Sequence, residues 1–159
     1  QKALKKQGLA LYWMMNAGMY LRNQSPQGLC MVHGEEIAPL DTQSSGYGNF
    51  YSFPVKGSAN GVFYVDTLGQ ANLSLMKDMQ AKIDSGYINL ATQSGPLMVW
   101  QNNINPAFND GSSNVNIRNA IGVTPNGYLV VAISIDEVCV FTIFLYCCAI
   151  IFTAIRHFI

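Results

Sequence analysis

Charge is what this 159-residue chain has least of: only 11% of its residues are Asp, Glu, Lys or Arg, nine acidic against nine basic, for a formal net charge of zero. Holding DNA or RNA calls for a basic face, because neutralised phosphates supply much of the affinity. Lys2, Lys5 and Lys6 are the nearest thing to one, and they read as a solvated helix face, so no nucleic acid partner is expected. Histidine is also scarce. Neither His33 nor His157 stands near Ser94, and Ser94 lacks the glycine spacing of a nucleophile elbow, so a serine-hydrolase triad is not expected. The four cysteines are Cys30, Cys139, Cys147 and Cys148, and they lack the paired spacing of a zinc site. They do not fix a redox compartment. Gln1 stands first without an initiator Met and no charged-then-apolar segment precedes the domain, which leaves the targeting signal to be sought elsewhere.

Apolar residues are plentiful, at 50% of the chain. A chain of this length buries about two thirds of its unfolded surface in one core, so one globular unit is expected. Residues 9–15 run apolar without a break and stop on Asn16-Ala-Gly18, the pattern of a buried strand entering a turn. Residues 28–32, 61–65, 96–100 and 128–134 read as further short strands, each bounded by Gly, Pro, Asn or Ser. Between Asn72 and Ser85 the period changes: Met76, Met79 and Ile83 recur at helical spacing, with Lys77, Asp78 and Lys82 opposite. Fourteen glycines mark frequent tight turns, so strands outnumber helices. The expected class is α+β, a single domain with a central mixed β-sheet and few helices.

Residues 138–155 are different in kind, carrying no charge over a span close to the ~20 residues that cross a bilayer. This tail reads either as a membrane helix, with Arg156 and His157 as interfacial anchors, or as an apolar segment that completes the core.

Three polar clusters sit in apolar surroundings. In Asn16-Ala-Gly-Met19 a small-residue turn at a strand end leaves an amide and backbone N–H groups able to hold an anion or a hydroxyl; taken alone, it is more often a structural turn. Thr92, Gln93 and Ser94 gather hydroxyl and amide groups just before the bend at Gly95-Pro96, where a ligand loop and a plain turn look alike. Arg118 lies in the small, apolar stretch Asn116-Ile-Arg-Asn-Ala-Ile-Gly122 and demands a carboxylate or phosphate, since it cannot shed its charge. A structural ion pair with Asp110 or Asp136 would satisfy it; beside the other two clusters, so would a phosphate.

An ordered set of motifs resembles the bacterial phosphodiester glycosidase family, relatives of the lysosomal enzyme that uncovers mannose 6-phosphate by removing N-acetylglucosamine. The set is Met15-Asn-Ala-Gly-Met-Tyr20, Pro26-Gln-Gly-Leu29, Gly48-Asn-Phe-Tyr51, Asn60-Gly-Val-Phe63, Ala91-Thr-Gln-Ser-Gly-Pro-Leu-Met98 and Ile117-Arg-Asn-Ala-Ile-Gly122, ending in Val131-Ala-Ile-Ser134. The resemblance implies a domain over residues 1–137, incomplete for the family, and a tail over 138–159 that is off its pattern. It implies hydrolysis of a sugar-1-phosphodiester, a sugar phosphodiester or polysaccharide ligand, and a cell-envelope or extracytoplasmic setting. Asn16, Ser94 and Arg118 are carried over as the catalytic set, with Gly18, Thr92, Gly95 and Asn119 contacting substrate; neither metal nor cofactor is specified. Arg118 would hold the phosphate, while Asn16 and the Ser94 loop would orient oxygens.

The family continues past the strand at Ser134 with a Phe-Tyr-Asp-Phe-like stretch and a later Leu-Asp-Gly strand, whose Asp is a candidate acid or metal ligand. This chain has no Leu-Asp-Gly. Asp110 and Asp136 remain, outside the matching motifs. One coding of Val140-Phe-Thr-Ile-Phe144, read two bases later, spells Phe-Tyr-Asp-Phe, so a reading-frame shift near Val138 would account for the tail, and the encoding DNA tests that. The expected function is a phosphodiester glycosidase-like hydrolase, poorly active as written. The alternative is a membrane-anchored or carbohydrate- or phosphate-binding surface protein without catalysis.

Overall fold

The structure, a computed structural model, describes residues 6, 8, 10, 14–16, 18, 20–42, 61–95, 97–101, 103–105 and 111–139. The expected strand over 9–15 is described only at residues 10, 14 and 15, and Asp110, Gly48-Asn-Phe-Tyr51, His157, Cys147, Cys148 and the tail beyond 139 lie outside the described residues. Among the described residues no helix is long and apolar enough to cross a membrane.

The fold is α+β, built on a five-stranded sheet of order β2-β1-β5-β3-β4: β1 Cys30–Val32, β2 Glu35–Ala38, β3 Gly61–Asp66, β4 Ala71–Leu75 and β5 Ile88–Ser94. Every described strand pairing is antiparallel, so the sheet expected to be mixed is antiparallel over these residues. Short hairpin connections account for part of this. β1 and β2 are joined at His33-Gly34, both with positive φ (53° and 78°), the geometry that matches strand twist in a two-residue hairpin.

Alternation along β3 sends Val62, Tyr64 and Asp66 to one buried face. Beneath that face a single 3-10 turn, Met76–Asp78, leads into α1, Met79–Asp84. Met79 is fully buried and packs with Leu29, Met31, Val62, Tyr64, Ile88 and Ala91, with Ile83 against the cluster. The helical spacing of Met76, Met79 and Ile83 is thus realised, and Lys82 lays its ammonium 5.8 Å from the Tyr64 ring centre, a cation–π contact at the edge of the core. The helix starts later than the expected Asn72, because Asn72 to Leu75 pair with β3 instead. A register shift opposite Val65 and Asp66 lets Ile88 and Ala91, three apart on β5, both face this core.

On the other face the chain after β5 folds back. Leu97 packs with Leu75 and Trp100, over Gly61, where an added Cβ would sit 2.9 Å from Leu97 Cδ1. Of the strand expected over 96–100, among the described residues only β6, Val99–Trp100, forms, paired with β7, Asn103–Ile104. The fully buried Asn105 donates its amide to Leu97 O at 3.0 Å and its backbone N–H to Met98 O at 2.9 Å, closing that hairpin. A last hairpin, β8 Asn119–Val123 with β9 Leu129–Ile133, lies beside β4 and realises the strand expected over 128–134.

Candidate functional site

The carboxyl end of β5 is where separate stretches of sequence meet. Alternation puts Thr92 and Ser94 on one face, and Ala91 and Gln93 on the other, where both are buried. Gln93 is fully buried and its amide makes three hydrogen bonds: its Oε1 accepts the N–H of Leu29 and of Asp41, each at 2.9 Å, and its Nε2 donates to Asp41 O at 2.8 Å. Its backbone N–H adds a bond to Leu29 O at 2.8 Å. One amide side chain therefore ties the Pro26-Gln-Gly-Leu29 stretch and the chain at residue 41 to the central strand.

Two glycines let the neighbouring chains come this close. At Gly28 φ is +84°, and a Cβ would meet Gln93 Oε1 at 2.5 Å. At Gly18 a Cβ would stand 2.5 Å from both Thr92 Oγ1 and the Gln93 carbonyl oxygen. Only glycine admits both approaches. The turn after Met15 is thereby pressed against Thr92. Two residues earlier Asn16 accepts a hydrogen bond through Oδ1 from the Nδ2 of Asn119, at the start of β8, 103 positions away. That bond fixes the plane of the Asn16 amide at an exposed position, with Asn119 half-buried behind it.

A pocket of about 160 Å³ opens here. The buried Leu29 and Gln93 form its floor, the half-buried Gly18, Gln27, Cys30 and Thr92 line it above them, and the exposed Tyr20 and Gln24 stand at its rim. Among the described residues, none that lines it carries a formal charge at neutral pH. Among the described residues no group of three or more His, Cys, Asp or Glu is placed to hold a metal ion.

Of the residues expected to form a site, Asn16, Gly18, Thr92 and Asn119 come together in this way. Ser94 ends β5 two residues beyond Thr92 on the same face, half-buried and paired with Gly61, and Gly95 makes the bend that follows; neither lines the pocket. Arg118 immediately precedes Asn119. Its Nε donates to Val138 O at 3.3 Å and its Nη2 to Asn114 O at 2.9 Å and Asn114 Oδ1 at 2.8 Å, while its backbone N–H bonds Ser134 Oγ at 2.8 Å. These bonds close the loop before β8 against the chain after β9, and they take carbonyl partners where a carboxylate from Asp136 was one expectation. Gln93 was named in a polar cluster and Tyr20 stands in a quoted motif, but neither they nor Gln27 were carried into the expected site, and Gln24 was not singled out at all. Gln93 had a signal, since strand alternation aligns it with Ala91, and Gln27 lies inside a quoted motif.

The strongest ionic feature lies away from this pocket, in the β3–β4 turn. Asp66 is fully buried; Oδ2 accepts the Tyr87 hydroxyl at 2.6 Å, and Oδ1 accepts the N–H of Leu68 at 2.9 Å and of Gln70 at 2.8 Å. The Tyr87 bond, aided by the backbone donors and opposed by burial, lowers the Asp66 carboxyl below its ordinary 3.8, and the same bond raises the Tyr87 hydroxyl above 10.0. A carboxylate so fully satisfied holds the turn together.

The phosphodiester glycosidase family model matches residues 11–139. An Escherichia coli K12 protein described as uncharacterized protein YigE is 34% identical over 122 residues, which make up 76% of this chain and 43% of that relative. The chain thus spans less than half the length of the curated relative it matches. No solved structure matches it.

Proposed function

Because the chain belongs to the phosphodiester glycosidase family, we propose that its pocket and the adjoining Asn16–Asn119 pair bind a sugar-1-phosphodiester for hydrolysis. The observation that carries this reading is the meeting of Asn16, Gly18, Thr92 and Asn119, from three of the family-like motifs, beside one pocket. Asn16 offers an amide of fixed orientation and Thr92 a hydroxyl, both suited to orienting sugar or phosphate oxygens before reaction. Ser94, on the same strand face as Thr92, extends that row of donors towards the bend. The bonds of Arg118 to Asn114 and Val138 use Nε and Nη2, which leaves the Nη1 donors to make a charge-assisted bond to a phosphate. Replacing Arg118 by Ala is then expected to weaken phosphodiester binding by roughly 1.5–3 kcal/mol. A fall in unfolding stability with unchanged binding would assign Arg118 to the Asn114–Val138 loop alone.

Glycosyl transfer to water needs a proton donor for the leaving oxygen or a base for the water, and among the described residues no carboxylate lines the pocket. The chain as written is therefore expected to bind better than it turns over, at a rate cost of ~10²–10⁴ for the missing acid or base. This favours a second reading, a carbohydrate- or phosphate-binding module. The test is an assay on an N-acetylglucosamine phosphodiester beside a version whose tail carries a Leu-Asp-Gly strand. Rescue of turnover supports the hydrolase; equal, substantial turnover by both puts the acid within residues 1–137; binding without turnover by either supports the module.

A further inference from the structure

The β8–β9 hairpin turns its bulkier side outward. Residues paired directly across an antiparallel ladder share a face, so Ala120 and Gly122 stand with Ala132 and Val130, while Ile121 and Val123 stand with Val131 and Leu129, and Asn119 with Ile133. The first set is small and includes the buried Ala120. The second is aliphatic apart from Asn119, and it is open: Leu129 is 48% and Ile133 50% exposed, with Ile121, Val123 and Val131 half-buried. Ile117 and Ile135 flank the hairpin at its Asn119 and Ile133 end, and both are exposed. A contiguous apolar surface of this kind marks a docking site.

The chain itself brings a partner to that end. After β9 it returns to pair Val138 with Asn116, Asn116 N–H donating to Val138 O at 3.2 Å and Val138 N–H to Asn116 O at 2.9 Å. Arg118 Nε donates to the same Val138 oxygen, and Cys139 is buried. Residues 138 and 139 thus belong to the domain, and what remains of the uncharged run starts at Val140 and stops before Arg156. Coiled at about 1.5 Å per residue, residues 140–155 would reach about 24 Å, short of the roughly 30 Å of a bilayer's hydrocarbon core but longer than the about 17 Å of a five-residue strand. Left in water, the run would add a second bare apolar surface to the first; laid on the hairpin, it buries both. We propose that residues 140–155 fold back as the cover of the face formed by Ile121, Val123, Leu129, Val131 and Ile133, an internal partner and not a membrane anchor. The covered strand begins at Asn119, directly after Arg118, so the tail also steadies the two site residues that β8 presents. That last consequence rests on the phosphodiester reading above; the docking does not.

The experiment places the photo-crosslinking residue benzoylphenylalanine at Leu129, at Ile133 and, for comparison, at Ile37, an exposed position on β2. Each full-length variant is prepared as an equal mixture of unlabelled and heavy-isotope chains, irradiated in buffer and again with phosphatidylcholine vesicles, and digested for mass spectrometry. Crosslinks from Leu129 and Ile133 to peptides within residues 140–155 of the same chain are expected, with vesicles or without, and none from Ile37. Mixed-isotope products put a second copy on the face and lipid adducts put a membrane there; either overturns the proposal. So does the absence of tail products, or their formation from Ile37 in equal yield. Two hairpin positions keep the test readable where one variant fails to fold. Tail crosslinking without phosphodiester binding sinks the proposed function and leaves the cover standing; binding without tail crosslinking does the reverse.

Discussion

Single side chains set much of the local architecture, and Gln93 is the clearest case. Replacing Gln93 by Leu keeps a similar volume but strips partners from two N–H groups and one carbonyl, at Leu29 and Asp41. Each buried polar group left unpaired costs about 1–3 kcal/mol, so urea unfolding is expected to record a loss of about 2–4 kcal/mol, Asp41 being open enough to recover some water. Little in the sequence announces this role: in Thr-Gln-Ser the amide looks like one more solvent-facing polar group, and only its alignment with Ala91 hints at burial. Asp66 and Tyr87 make a second case, with a pH signature. The carboxyl is lowered on folding, so its stabilisation is complete above the unfolded value near 3.9 and is lost as pH falls through the lower folded value. Tyr87 is raised, so its share is complete below about 10 and is lost as pH rises through the higher folded value. Thermal melts of wild type and Tyr87→Phe are expected to differ at neutral pH, to begin converging as pH falls below about 4, and to converge again at strongly alkaline pH. A gap that stays constant across the range would contradict the assignment.

Among elements, the helix under the sheet was the most legible, because its apolar residues serve one purpose at one spacing. Met76, Met79 and Ile83 face the core, Lys77 and Asp78 face water, and only the amino-terminal boundary differs. Residues 72–75 carried a strand signal that the helical reading passed over, since Asn72, Leu73, Ser74 and Leu75 alternate polar and apolar, but over only four residues, and their pairing with β3 depends on a turn that Asp66 organises. Replacing Met79 by Ala should cost about 2–5 kcal/mol by the burial lost and the cavity left, measurable as a lower urea midpoint at unchanged slope. Gly18 tests the contact between the Asn16 turn and β5. A methyl group there meets backbone oxygen, which cannot rotate away, so Gly18→Ala is expected to lose about 1–3 kcal/mol and to separate Asn16 from Asn119. Thermal unfolding reads the first effect, and the side-chain amide NMR signals of the two asparagines read the second.

For the whole molecule, the sequence declared its family more readily than its geometry. The ordered motifs pointed to residues 11–137 and the family model matches 11–139, yet nothing in their spacing says that Asn16 will meet Asn119 or that Gly18 will press on Thr92. Those meetings come from the order in which antiparallel strands assemble, with β5 central and its end receiving distant turns. The turn beside the pocket was legible in part: Tyr20 and Gln27 stand in quoted motifs, while Gln24 looks like an ordinary surface residue until the turn that presents it is seen. The pocket floor has a different character from its rim: Leu29 belongs to the hydrophobic cluster, and Gln93 holds Leu29 and Asp41 together. In hydrogen–deuterium exchange, then, the Leu29 and Asp41 amides should be released by one shared opening event, at one rate, and should become fast together in Gln93→Leu. A floor that opens only with the core ties any substitution at Leu29 or Gln93 to the stability of the sheet itself, so the pocket cannot be reshaped from below without loosening the fold.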